Sequence, residues 1–168
     1  MTLFRPDPAR LRHPVGVVGL GNPLMGDDGV GPWVVAQLHK RHPSRWVLDL
    51  GSDLLGLSSH GPYPKTLLVV DAARTGQVEV GAWQALTLEQ VKPMGGLRSS
   101  HQLSAVDALA LEQQRAPGSW VGVTLYWLLL EVDAIEIGQG LTPAVEKGAQ
   151  SLLSWLDQAL MGKKQLNQ

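Results

Sequence analysis

Two stretches, "VGVVGL" (15–20) and "KTLLVVDA" (65–72), run apolar with almost no polar alternation. A strand with one wet face alternates; a strand covered on both faces does not need to. A chain with two such strands must supply cover on both sides of one sheet, which points to helices alternating with parallel strands. The remaining segments fit that demand. "RWVLDL" (45–50) and "SWVGVTLYWLLL" (119–130) read as further strands, and "QVEVGAWQALTL" (77–88), with looser alternation, reads as an edge. "PWVVAQLHKRH" carries Val34, Val35 and Leu38 on one helical face and a basic end suited to a helix C-terminus. "SDLLGLSS" is long enough for a helical turn or two. "SSHQLSAVDALALEQQ" (99–114) reads as a helix with Ser99 or Ser100 as N-cap. In the last segment Thr142 reads as N-cap, Pro143 as the first helical residue, and Val145, Ala149, Leu152, Leu156 and Leu160 as one apolar face. The expected fold is a three-layer α/β/α domain around a twisted, mostly parallel five-stranded sheet.

At 168 residues and 44% hydrophobic, the chain can bury one core and not two. Residues 15–162 are expected to form that single domain, preceded by a loose proline- and arginine-rich arm (1–14) and followed by a short tail (163–168). Fourteen basic against fifteen acidic residues, with no block of one sign, leave no footprint for nucleic acid or an anionic membrane. The absence of cysteine removes disulfides, thiolate metal sites and cysteine nucleophiles. Any metal must therefore rest on His, Asp, Glu or backbone groups. The longest apolar run, from Val121 to Leu130, falls well short of the roughly 20 residues of a membrane span. The opening "MTLFRPDPARLRHP" lacks a signal peptide's continuous apolar region, so a cytoplasmic chain is expected.

Function in a parallel sheet gathers at the carboxyl ends of its strands. Three polar features fall there: the acidic turn "GNPLMGDDGVG" (21–31) after the first strand, Asp71 at the end of "LLVVDA", and His101 at the start of a helix. Pro32 places the start of regular helix near residues 29–31, so Asp27 and Asp28 sit at or just before a helix N-terminus. Taken singly, one of these aspartates reads as a helix cap, Asp71 as the polar end of a strand and His101 as a helix-start or surface histidine. A cap needs one carboxylate, however, and the second is left for something else. Two carboxylates and an imidazole form a donor set that a borderline divalent ion such as zinc or nickel accepts with positions left open. His13, His39, His42 and His60 read as solvated surface, and most of the six tryptophans as core, with Trp33 placed to face a docked partner.

The segments "VVGLGNPLMGDDGVGPWVV", "LDLGS", "LLVVDAARTG", "SSHQLSAVDAL" and "VDAIEIGQGLTPAVE", in that order, resemble the hydrogenase maturation endopeptidases, which process the large subunit of nickel–iron hydrogenases. The resemblance runs from about Val15 to Leu160. It implies a phosphorylase/hydrolase-like α/β fold, a metal bound by Asp28, Asp71 and His101, and catalysis at those residues, of aspartic or metal-assisted type. It implies the reaction too: removal of a C-terminal extension from the nickel-loaded large-subunit precursor, the partner. The metal it implies is nickel, carried by that precursor, with zinc or cadmium able to stand in for it in a crystal. Asp27 is left to cap the helix, steady the turn or orient a ligand. A monomer is favoured. The apolar "YWLLLEVDAIEIGQG" departs from the family, where a proline and a more polar turn are expected, and the arm before Val15 is extra.

Three rival readings are weaker. "VVGLGNP" also resembles the opening of the peptidyl-tRNA hydrolases, but "LMGDDGVG" stands where that family has a Thr-Arg-His-Asn segment, and a tRNA-binding chain should be more basic. A dinucleotide loop would need a glycine at position 24, which is leucine, and its carboxylates would repel pyrophosphate. A non-catalytic chaperone of a metalloprotein precursor is the third; the intact Asp28, Asp71 and His101 argue against it.

Overall fold

The computed structural model describes residues 2–91 and 105–162. Five strands, β1 (Val15–Leu20), β2 (Val47–Gly51), β3 (Thr66–Ala73), β4 (Trp83–Leu86) and β5 (Thr124–Glu131), form one sheet in the order β2-β1-β3-β5-β4. All neighbouring pairs are parallel except β4, which runs antiparallel to β5 at the edge. Helix α1 (Val30–Arg41) links β1 to β2, the short α2 (Leu88–Val91) and α3 (Ala105–Arg115) follow β4, and α4 (Pro143–Met161) follows β5. Among the described residues no helix is long and apolar enough to cross a membrane.

The unalternating stretches are explained by their position. Every residue of β1 and of β3 is buried, because these strands lie inside the sheet and both of its faces are covered. Val15, Val17, Leu68, Val70, Leu128 and Leu130 point to one face, where Val34, Val35 and Leu38 of α1 and Leu152 and Leu156 of α4 cover them. Val18, Leu20, Leu67, Val69 and Leu129 point to the other, under Leu54 and Leu57 of a 3-10 segment (Leu54–His60) and Leu109 of α3. The register of two residues per repeat assigns each side chain to its layer.

Two strands are shorter than their sequence patterns suggest. The stretch expected at 119–130 begins with a 3-10 turn at Pro117–Trp120 and becomes strand only at Thr124. Gly122, with φ of +75°, intervenes in a conformation no extended strand adopts. At 77–88 only Trp83–Leu86 is strand, because Gly81, at φ of +89°, turns the chain just before it.

The arm expected to be loose is docked instead. The Phe4 carbonyl accepts from the Ala85 N–H on the free edge of β4, and the Arg5 guanidinium lies 4.0 Å over the Trp83 ring. The Trp155 indole N–H donates to the Pro6 carbonyl at 3.1 Å, and the Thr66 hydroxyl to that of Arg12 at 2.7 Å. Prolines and arginines give the arm an unstructured look, yet cation–π contact and edge pairing need only a stem and a free carbonyl.

Candidate functional site

The strand order reverses at β1: β2 lies on one side of it and β3 on the other. The crevice past the carboxyl ends of β1 and β3 is therefore the topological switch point, where open α/β sheets place their sites. The acidic turn leaves β1 at that crevice. Gly21, at φ of +132°, leads out of the strand so tightly that a Cβ there would lie 1.9 Å from the Asp28 carbonyl oxygen. Gly31 in turn packs against β1, where a Cβ would meet the Leu20 carbonyl at 2.1 Å. These two glycines let a helix start directly against the strand it follows.

Within the turn the two aspartates diverge. Asp27 is buried, and its two oxygens accept from the backbone N–H and the hydroxyl of Thr142, at 2.7 and 2.8 Å. It ties the β1–α1 turn to the residue that opens α4, 115 positions away, and does not cap α1. Gly29 stands at the α1 N-cap, with no side-chain cap at all. Thr142 holds the N-cap position expected of it, but its hydroxyl serves Asp27 and not its own helix. Asp28 is half-buried at the crevice, with one oxygen accepting from the Asn22 N–H at 2.8 Å.

Asp71 comes one residue past the Gly19↔Val70 pair that ends the described β1–β3 register. Its side chain shares the face of Val69 and Ala73, on the layer of α3. It is 9% exposed, and its carboxyl is pushed up to about 8. Burial is the main cause, and the nearby charge of Asp28 adds to it. The Ala72 N–H, bonded to its Oδ1 at 2.9 Å, and the Trp127 indole N–H pull the other way. Trp127 is fully buried, and its N–H approaches Asp71 without forming a hydrogen bond of full geometry.

The fold thus brings Asp28 and Asp71 to one crevice. His101 lies outside the described residues. Among those described, no cluster of three His, Cys, Asp or Glu side chains suited to a metal occurs, so the two carboxylates stand as a pair. Of the remaining histidines, His60 is exposed as expected, whereas the other three are not simply solvated. His39 bonds the Val47 carbonyl at 2.8 Å, His42 meets Asp157 at 2.8 Å, and His13 carries a buried ring nitrogen. Of the tryptophans, Trp83, Trp127 and Trp155 are buried, whereas Trp33 is half-exposed beside the turn.

Two further residues shape the crevice in ways the sequence does not announce. Thr142 reads from sequence as a cap only. Glu131, concealed in the apolar "YWLLLEVDA", is buried and accepts from the Thr75 N–H (2.8 Å), the Thr75 hydroxyl (2.7 Å) and the Gly76 N–H (2.7 Å). It clamps the loop that leaves β3 two residues after Asp71. An acid set directly after five apolar residues was the available signal, since such a residue needs partners to be buried.

A mainly parallel sheet with two acids at its switch point defines an α/β protein whose site lies at the carboxyl ends of its strands, and comparison with known proteins gives the family. The HycI hydrogenase maturation proteases match residues 32–156, so the chain belongs to the hydrogenase maturation protease family. No curated protein matches it by sequence search. Among solved structures it is similar to the hydrogenase maturating endopeptidase HybD of E. coli, at 26% identity and a TM-score of 0.71, over 90% of this chain and 93% of that one. The [NiFe] hydrogenase maturation protease HybD of Thermococcus kodakarensis shares its fold, at 24% identity and a TM-score of 0.73, over 88% and 97%. So does the HycI protease of Thermococcus kodakarensis KOD1, at 19% and 0.72, over 92% and 97%.

Proposed function

We propose that this hydrolase removes a C-terminal extension from the nickel-loaded large-subunit precursor of a nickel–iron hydrogenase, and that Asp28 and Asp71 are its working carboxylates. The observation that carries the assignment is the pair itself. Two acids share a crevice where the burial of one and the charge of the other make double ionisation unfavourable. A structural role would gain nothing from that arrangement; a divalent cation brought to the crevice relieves it.

The nickel of the precursor is such a cation, and it enters as part of the substrate. Carboxylate oxygens suit it, and an imidazole would complete the set. His101 joins them on the strength of the family resemblance. Engaging nickel already seated in the precursor makes cutting conditional on cofactor loading and holds the scissile bond at a defined place. Hydrolysis requires a proton to leave the attacking water and another to reach the departing amine. A carboxylate oxygen of the pair that the nickel leaves free can accept the first proton and pass it to the amine. Asp27, whose two oxygens both accept from Thr142, acts by fixing the turn.

The test is a mass measurement on purified precursor that demonstrably holds nickel. The wild-type protein is expected to shorten it, and Asp28→Asn, Asp71→Asn and His101→Ala to leave it intact while folding normally. An unchanged precursor mass with the wild-type protein overturns the assignment, and full activity in any variant removes that residue from it. Treating the enzyme alone with a chelator, then removing the chelator, leaves activity unchanged on this reading. Loss of activity would place a resident metal on the same carboxylates.

A further inference from the structure

An apolar groove of about 250 Å³ opens beside the acidic turn. Pro23, Pro32, Trp33 and Ala36 form one side of it and Gly140 and Leu141 the other, and no charged side chain lines it. Gly26 and Gly29, which flank the two aspartates, belong to its wall as well. The groove therefore begins one residue from Asp28, a Cα step of about 3.8 Å.

Two large apolar side chains stand exposed on the segments that border it. Leu24 is 57% exposed and Ile137 90% exposed. Both sit on backbone that is held in place: the Gly26 N–H donates to the Gly138 carbonyl and the Gly138 N–H to the Leu24 carbonyl, each at 2.9 Å. Side chains of this size left in water on a tethered backbone mark a contact surface.

We propose that this groove is a subsite for one large apolar side chain of the hydrogenase large-subunit precursor, seated within about three residues of the bond that is cut. The inference rests on the reading of Asp28 and Asp71 given above. Its volume lies below the roughly 300–1,000 Å³ of small-molecule and cofactor sites and suits a side chain. The uncharged lining excludes an acidic or basic occupant, whose charge would be left unpaired on entry. Gly26 and Gly29, which join the groove wall to the turn that carries Asp28, decide the partner. An extended polypeptide advances about 3.3–3.6 Å per residue, so one whose scissile bond lies at Asp28 passes the groove mouth within two or three residues.

Ala36 is exposed on α1, so Ala36→Trp fills the groove from its rim without disturbing the core, and Gln150→Trp, exposed on α4, serves as the control. Ala36→Trp is expected to lower kcat/KM for nickel-loaded precursor at least tenfold, mainly through KM, and to weaken binding of uncut precursor in calorimetry by a similar factor. Gln150→Trp should match the wild type. One apolar residue of the precursor within three of the scissile bond, replaced by Asp, should lower kcat/KM as much with the wild-type enzyme and add nothing further with Ala36→Trp, the non-additivity of groups in contact. Losses that simply add, or binding and kcat/KM in Ala36→Trp within twofold of the wild type, overturn the subsite and leave the proposed function standing. Should the wild type bind precursor without cutting it, the catalytic reading fails, and sensitivity of that binding to Ala36→Trp still decides the groove. Failure of the wild type to bind precursor overturns both. A wild-type dimer in sedimentation equilibrium that Ala36→Trp dissociates would make a second copy the occupant and overturn the proposal.

Discussion

Replacing Asp71 by asparagine separates what the residue does for the fold from what it does for the reaction. In the folded protein the carboxyl titrates near 8, against 3.8 for the free side chain. Between those values the native state holds a proton that the unfolded chain has lost, so stability must fall as pH rises through that window. At 1.36 kcal/mol per unit, the penalty grows from nothing below pH 4 to about 4 kcal/mol at pH 7, and levels near 6 kcal/mol above pH 8. The side-chain amide of the Asp71→Asn variant does not ionise and still offers an oxygen to the Ala72 N–H that now bonds Asp71. Its urea-unfolding free energy should therefore hold level relative to wild type at pH 4 and exceed it increasingly toward pH 8. Any fixed difference in packing shifts the whole curve, so the divergence with pH is the quantity to read. Against a total stability of about 5–15 kcal/mol the effect is large, about 8–16 °C in Tm at pH 7. Asp28→Asn should reduce the divergence without abolishing it, because burial is the larger cause and the Asp28 charge the smaller. Wild-type and Asp71→Asn curves that run parallel from pH 4 to 8.5 would refute the reasoning. A variant more stable than its parent and unable to cut would be the mark of a residue kept for function.

Two substitutions test the supports of the crevice. Thr142→Val removes one of the two donors that hold buried Asp27, and should lower stability by about 1–3 kcal/mol in chemical denaturation, with Asp28 and Asp71 retained. Glu131→Ala takes the acceptor from the Thr75 N–H, the Thr75 hydroxyl and the Gly76 N–H. Hydrogen exchange at Thr75 and Gly76 should rise at least tenfold, and unchanged protection there would show that the loop is held by something else.

The layers and the turn could be read from the chain because both are written in local chemistry. Unbroken apolar strands demand cover on both faces, and β1 and β3 have it. A glycine-bracketed Asp-Asp followed by Pro32 demands a strand-to-helix turn, and Gly21 and Gly31 make it. Strand ends at 81 and 122 were less legible, since the residues around each glycine suit a strand and only the local φ breaks it.

What the sequence by itself determined was the sheet, the family and the carboxylates worth watching, for periodicity and motif spacing are properties of neighbouring residues. What only the tertiary structure decided was how the acids divide their work. Asp27 and Asp28 are adjacent and chemically identical. Asp27 is withdrawn from the crevice because Thr142, 115 positions on, meets it with two donors, while Asp28 is left beside a third acid from another strand. Hydrogen-bond partners and electric fields depend on distance in space, and no local pattern carries that distance.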